Sequence, residues 1–321
     1  MPATSVMSGL PPRSQCTTAK MSPTTPVNKV PRPHQMFSRK ASTRSQIAPT
    51  NAKTPPRMNN NVPKARPPIR ADTGKLAQWR LWSRTRYPSG MRIIVCGDSD
   101  HLIQRAAEHI SQRHADCPGA VSFGLAGGST PQPIYEQLTS AQLDWSQTVL
   151  WLGDERWVPR DHADSNTGMA DRLLARHVPA KFLPFPYAAD RTPEETALAY
   201  GAQIVAATPP GARRMVLLGM GDDGHTASLF PGTDALEASG TYVASWVESK
   251  DMWRVTATLG YLSSSDELIF VVSGANKASA LAAVVAGDDR FPAGRLVRDA
   301  TADITFIVEA AAAAEITGAT S

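Results

Sequence analysis

MVLLG (residues 215–219) and LIFVVS (residues 268–273) are apolar on successive residues, not on alternate ones. A strand with one wet face alternates; a strand covered on both faces does not. These two runs predict a parallel sheet with helices on each side. Strand-like runs of the same kind recur at Arg92–Cys96, Ala120–Leu125, Thr148–Leu152, Arg214–Leu218 and Ile304–Val308. Between them lie stretches with helical periodicity: Ser99–His114, a helix from about Pro131, Thr167–His177 and Asn276–Ala286, with a closing helix over Glu309–Glu315. The predicted fold class is α/β, a Rossmann-like doubly wound and mostly parallel sheet with helices on both faces. It forms one domain over residues 91–321, without internal repeats.

Ahead of that domain the text changes character. Residues 1–90 hold 16 Lys and Arg against a single acid, Asp72, for a net charge of +15. Residues 91–321 hold 17 basic and 28 acidic residues, a net −11, so the chain's formal +4 describes neither part. Rich in Pro, Ser, Thr and Asn and without apolar periodicity, the first segment is expected to be a disordered tail. Three explanations compete: a transit peptide, a segment that binds an acidic surface such as nucleic acid, or translation from a start placed too far upstream, the last being preferred. KLAQWRLWSRTRY (residues 75–87) interleaves basic and aromatic residues, a pattern that can stack on bases or lie on a membrane surface but is far more often a solvated tail.

Three scattered cysteines, Cys16, Cys96 and Cys117, with no CxxC, argue against a disulfide framework and a structural zinc. A reducing compartment, the cytoplasm, is expected. No apolar run approaches the length of a membrane span. The expected partners exclude membrane and nucleic acid, and the chain is expected to act as a monomer or weak dimer.

In parallel α/β sheets ligands bind beyond the carboxyl ends of the strands, so the loops after the apolar runs are the places to look. The first is FGLAGGSTP (residues 123–131). Gly127 and Gly128 let the backbone approach an anion, Ser129 adds a hydroxyl, and a helix start supplies unpaired N–H groups. An ordinary glycine-rich strand–helix turn would look the same. The second, WLGDERWVPRDHADSN (residues 151–166), places Asp154, Glu155 and Arg156 directly after a strand. Carboxylate beside guanidinium can orient hydroxyl groups and bind phosphate; it can also be a surface ion pair. The third, LLGMGDDGHTASLFPG (residues 217–232), sets Asp223 and His225 around Gly224. An imidazole there can serve as general base near neutral pH. Structural roles for both residues stay open, whereas two ligands at that spacing make no metal site. Arg254, in RVTAT, and Lys277, after FVVSG, stand where a phosphate could be reached.

Together these stretches resemble the 6-phosphogluconolactonase family: AGGSTP, GDERWVPRDHADSN, GMGDDGHTASLFPG, RVTATLGYLSSSDELIFVVSGANK and TFIVEAAA, in the family's order and spacing from about Met91 to Glu315. The ending departs modestly from the family's usual WFLDEAAA. The family is similar in fold to the glucosamine-6-phosphate deaminases. The resemblance implies hydrolysis of a sugar-phosphate lactone without metal or cofactor. His225 would be the base that activates water, with Asp223 beside it. Gly127, Gly128 and Ser129 would line the substrate cradle, Asp154 and Arg156 would face sugar and phosphate, and Arg254 and Lys277 would hold the phosphate end.

Two alternatives stand against it. Deaminases resemble DGHIAFNEP at the third loop, with a glutamate five residues after the histidine. This chain has Phe230, whose apolar carbon is not expected to orient an imidazole. A sugar-phosphate-sensing domain of a transcriptional regulator would use the fold without chemistry, but residues 1–90 hold no helix-turn-helix pattern.

Overall fold

The computed structural model describes residues 90–316. The tail expected before Met91 falls, Gly90 apart, outside the described residues. The chain opens with β1 (Met91–Cys96), α1 (Ser99–Ala115), β2 (Val121–Leu125), α2 (Pro131–Thr139), β3 (Thr148–Leu152) and β4 (Asp154–Arg156). It continues through α3 (Asn166–Leu173), β5 (Lys181–Phe182), α4 (Pro193–Ala207), β6 (Arg213–Leu218), β7 (Tyr242–Val247) and β8 (Met252–Ala257). α5 (Leu259–Ser263), β9 (Glu267–Val272), α6 (Ala278–Val285), α7 (Pro292–Asp299) and β10 (Asp303–Glu309) complete it.

Seven strands form one sheet in the order β1-β10-β9-β6-β2-β3-β5, and every neighbouring pair is parallel. β2, β3 and β9 are buried at every residue. Such burial is what parallel strands covered by helices on both faces undergo, even where Ser122, Thr148 and Glu267 interrupt the apolar text. Phe270 and Phe306, opposite each other in the β9–β10 register, stack at 4.6 Å with 11° between ring planes. With Phe123, Tyr135, Trp151 and Tyr200 they are among the largest fully buried side chains. Each stabilises the fold by about 1.5–3 kcal/mol through apolar burial.

The winding decides where a ligand belongs. From β2 the chain moves outward to β3 and β5; it then returns beside β2 as β6 and winds the other way through β9 to β10. The strand order therefore reverses between β2 and β6. In open α/β sheets the crevice at such a switch point, beyond the carboxyl ends of the strands, receives the ligand.

Three expectations are corrected. Glu309–Glu315 is no helix: after β10 the chain makes turns, with Ala312 and Ala313 both donating to the Glu309 carbonyl at 2.9 and 3.0 Å. Ala310 donates to the Cys96 carbonyl at 2.7 Å and ties this segment to β1. Alanine propensity does not overcome helix nucleation in so short a stretch. The helix expected over Thr167–His177 stops at Leu173 and gives way to a 3-10 turn at Ala175–His177. Finally, a second sheet was not foreseen: β4-β8-β7, antiparallel throughout. Among the described residues no helix is long and apolar enough to cross a membrane.

Candidate active site

A cavity of about 400 Å³ lies at the switch point. Its walls come from the loops after β2, β3, β6 and β9, and from the second sheet. Every sequence-predicted site residue except Asp223 lines it: Gly127, Gly128, Ser129, Asp154, Arg156, His225, Arg254 and Lys277.

The β2 loop is shaped by what lies beneath it. A Cβ built on Gly127 would stand 2.2 Å from Oδ1 of Asn166, so no larger residue fits. Asn166 in turn donates from Nδ2 to the Asp154 carbonyl at 2.9 Å and, more weakly, to Asp154 Oδ1 at 3.3 Å. Asp154 Oδ2 accepts from the Ser228 hydroxyl at 2.6 Å. Asp154 is 7% exposed yet lines the cavity. Its carboxylate thus joins the β3 loop to the β6 loop, and two of its roughly four acceptor positions are taken.

Glu155, which points the other way from its neighbours in β4, anchors the loop. Its buried carboxylate accepts from the backbone N–H groups of Arg156, Asn166 and Thr167 at 2.8, 2.8 and 2.6 Å and from the Ser165 hydroxyl at 3.2 Å. Burial pushes the Glu155 carboxyl up, opposed by these backbone donors, of which Asn166 and Thr167 begin α3 and have N–H groups without intrahelical partners.

His225 is held by its own loop. Asp223 Oδ1 accepts from the His225 backbone N–H at 3.0 Å and pairs with Nδ1 of the ring at 2.6 Å. Asp223 therefore orients both backbone and ring. Burial pushes the Asp223 carboxyl up, but the His225 N–H, charge and ring hydrogen bond together hold it below the ordinary carboxylate value. The close turn needs Gly221, where a Cβ would meet His225 Nδ1 at 2.2 Å. With Nδ1–H donated to Asp223, the imidazole presents Nε2 as its acceptor, the tautomer a general base requires.

Another part of the lining is cationic. Arg156 of β4 stands directly across from Arg254 of β8. Like charges in such a pair repel, and the Nε of each is buried without a hydrogen-bond partner. Arg156 is braced by donation from Nη1 to the Asp164 carbonyl at 2.6 Å. Burial pushes the Arg254 pKa down, with Asp154 opposing and Arg156 adding to the shift. Lys277, in a 3-10 turn after β9, is likewise lowered by burial against the pull of Asp222. Two repelling guanidiniums with unpaired donors make a wall that an oxyanion would neutralise.

Sequence reasoning missed Asn166, Ser228, Phe230 and Lys250. Asn166, Ser228 and Phe230 lie inside quoted motifs, but their roles are tertiary. The Phe230 ring stacks on the His225 imidazole at 4.0 Å between centroids and 24° between planes. Lys250, at the tip of the β7–β8 hairpin, lines the same cavity with Nζ 6.0 Å from the Phe230 ring; nothing in its local sequence signals this. Ala227, also lining the cavity, takes φ of +49°, a conformation rare outside glycine that turns the chain just before Ser228. Among the described residues no group of three His, Cys, Asp or Glu side chains is placed to hold a metal ion.

A crevice at the switch point of a parallel sheet, lined by His225 and by two opposed arginines, places the chain among α/β proteins with a ligand cavity at the carboxyl ends of their strands. Residues 97–306 match the family described as glucosamine-6-phosphate isomerases/6-phosphogluconolactonase. The 6-phosphogluconolactonase of Nostoc sp. is 38% identical over 211 residues, which cover 62% of this chain and 85% of that protein. That of Pseudomonas putida is 34% identical over 223 residues, 64% of this chain and 88% of the relative. The solved 6-phosphogluconolactonase of Trypanosoma cruzi superposes with a TM-score of 0.63 at 29% identity, covering 70% of this chain and 96% of that one. A monomeric glucosamine-6-phosphate deaminase, 22% identical with a TM-score of 0.60 over 70% of this chain and 99% of its own, shares the fold. The chain belongs to the 6-phosphogluconolactonase family.

Proposed function

We propose that this chain hydrolyses 6-phospho-D-glucono-1,5-lactone to 6-phospho-D-gluconate with His225 as general base. The observation that carries the assignment of the base is the pairing of Asp223 Oδ1 with Nδ1 at 2.6 Å, which commits Nε2 to accepting a proton. Nε2 takes a proton from water as the water oxygen attacks the lactone carbonyl carbon. The tetrahedral intermediate then expels the ring oxygen, which receives that proton back from Nε2. The new carboxylic acid ionises. A lactone is an activated ester, so neither a covalent nucleophile nor a metal is needed. It requires an oriented water, a base and donors for the developing oxyanion.

Arg156, Arg254 and Lys277 hold the phosphate, and the turn Gly127–Ser129 supplies backbone donors at the start of α2. Asp154, already bonded to Ser228 and Asn166, keeps the β3 and β6 loops in register and offers its remaining acceptor positions to sugar hydroxyls. The free thiols of Cys96 and Cys117 suit a cytoplasmic enzyme, acting as a monomer or weak dimer.

The test is a coupled assay that generates the lactone in place and times its loss against spontaneous hydrolysis. His225→Ala should lower kcat by about 10²–10⁴-fold, the usual contribution of a general base, with a much smaller change in KM. EDTA dialysis should leave the rate unchanged. Near-wild-type turnover in the alanine variant would remove the base assignment, and loss on EDTA restored by a divalent cation would remove the metal-free mechanism.

A further inference from the structure

One hydrogen bond fixes a point on an imidazole, not its plane. The ring turns about its Cβ–Cγ bond, and Asp223, whose side chain is 44% exposed, can follow Nδ1 through part of that turn, which would sweep Nε2 away from the water it must deprotonate. A second contact on the ring face removes that freedom. We infer that Phe230 is a positioning residue for the reaction, its ring clamping the His225 imidazole in the plane that Asp223 alone leaves undetermined.

The two rings lie 4.0 Å apart and within 24° of parallel, and Phe230 is 5% exposed, so its own ring is confined. The segment between them is short and pinned. Leu229 N–H donates to the Thr226 carbonyl at 3.0 Å, and Thr226 Oγ1 donates to the Gly219 carbonyl at 2.8 Å. Beyond it, the Phe230 carbonyl accepts from Thr233 Oγ1 at 2.8 Å. The stack is thus set by the loop before any substrate arrives. Phe230 also lines a second hollow of about 560 Å³ that reaches Trp246 and Trp253. When Nε2 becomes protonated in the reaction, the aromatic face also attracts the imidazolium. A purely packing role would be filled equally well by any apolar side chain of similar bulk; a clamp needs a flat one.

The inference rests on His225 being the base, so His225→Ala is measured alongside. In the full-length chain, Phe230→Leu should lower kcat by about 10–100-fold, the scale of a displacement of roughly 1 Å at a reacting group, with KM nearly unchanged. Phe230→Tyr, which keeps the flat ring, should retain most of kcat. In spectra of histidine-labelled protein the His225 ring protons should move downfield in Phe230→Leu, as the shielding of the stacked ring is lost, and stay in place in Phe230→Tyr. If Phe230→Leu does not fold, Phe230→Met is read the same way. Wild-type kcat in the folded leucine or methionine variant, or a loss of activity with unmoved His225 resonances, overturns the clamp. An active His225→Ala removes the base assignment and the clamp with it; an inactive His225→Ala beside a fully active Phe230→Leu removes the clamp alone.

Discussion

Replacing Arg254 by methionine should make the ligand-free protein more stable and its response to phosphate weaker. Arg254 faces Arg156 across the β4–β8 ladder, and its Nε is buried without a partner. A directly opposed like-charge pair costs up to about 1 kcal/mol, and an orphaned buried donor about 1–3 kcal/mol. Methionine keeps the apolar stem and removes both, so a gain of about 1–2 kcal/mol is expected after some loss of packing. For a domain of this size that raises Tm by about 2–8 °C. In the wild type a bound anion should relieve the same repulsion. Inorganic phosphate at a hundred times its Kd should add about 2.7 kcal/mol, or about 5–10 °C. With Arg254→Met the phosphate-induced rise should fall to less than half, and KM for the phosphorylated lactone should climb. Scanning calorimetry with and without phosphate reads all of this in one series. A variant that melts lower than wild type without phosphate, yet keeps the full phosphate-induced rise, would refute the reading of this wall as an anion site.

At the far end of β9, Glu267 is 1% exposed and meets His109, Arg113 and Arg213 at 3.1, 2.7 and 2.9 Å. Burial pushes its carboxyl up, but the His109 and Arg113 hydrogen bonds hold it below the ordinary glutamate value. Its contribution is therefore full above about pH 4.3 and fades as pH falls through the lowered value. Glu267→Gln should cost about 3–5 kcal/mol at pH 7, a gap that denaturant titrations should find narrowing in acid; a gap independent of pH would contradict it. A chain beginning at Met91 should keep the full-length kcat/KM and Tm, because every cavity-lining residue lies between Ala126 and Lys277. An insoluble or inactive product would show that residues 1–90 contribute to the domain.

The main sheet was legible because its strands are buried on both faces, which writes MVLLG and LIFVVS as unbroken apolar runs. Their carboxyl ends pointed to a set of loops, and the structure brings Gly127, Asp154, Arg156, His225, Arg254 and Lys277 of those loops and the adjoining small sheet around one cavity. The order of the strands was not legible. Nothing in the text of β6 says that it lies beside β2, and that adjacency alone makes the crevice between their ends a switch point. The final alanines misled for the opposite reason: local propensity spoke for a helix where the tie between Ala310 and Cys96 settles the path.

The second sheet shows where local reading ends and what it costs to miss it. β4 is three residues long and charged throughout, so no periodicity could mark it as a strand. Pairing with β8 turns the isolated charges Arg156 and Arg254 into an opposed couple, in which the two guanidiniums repel each other while Asp154 attracts Arg254. The β7–β8 hairpin also carries Lys250 to the cavity rim, beside the ring of Phe230. The main sheet carries the loop that holds His225, and the small sheet supplies Arg156 and Arg254 to the same cavity. On the proposed reaction a substrate bearing both a phosphate and a reactive carbonyl would span the two, so its recognition would depend on how firmly β4 and β8 hold their register against the main sheet. Asp154 ties the two through its bond to Ser228, one buried carboxylate joining β4 to the loop that carries His225.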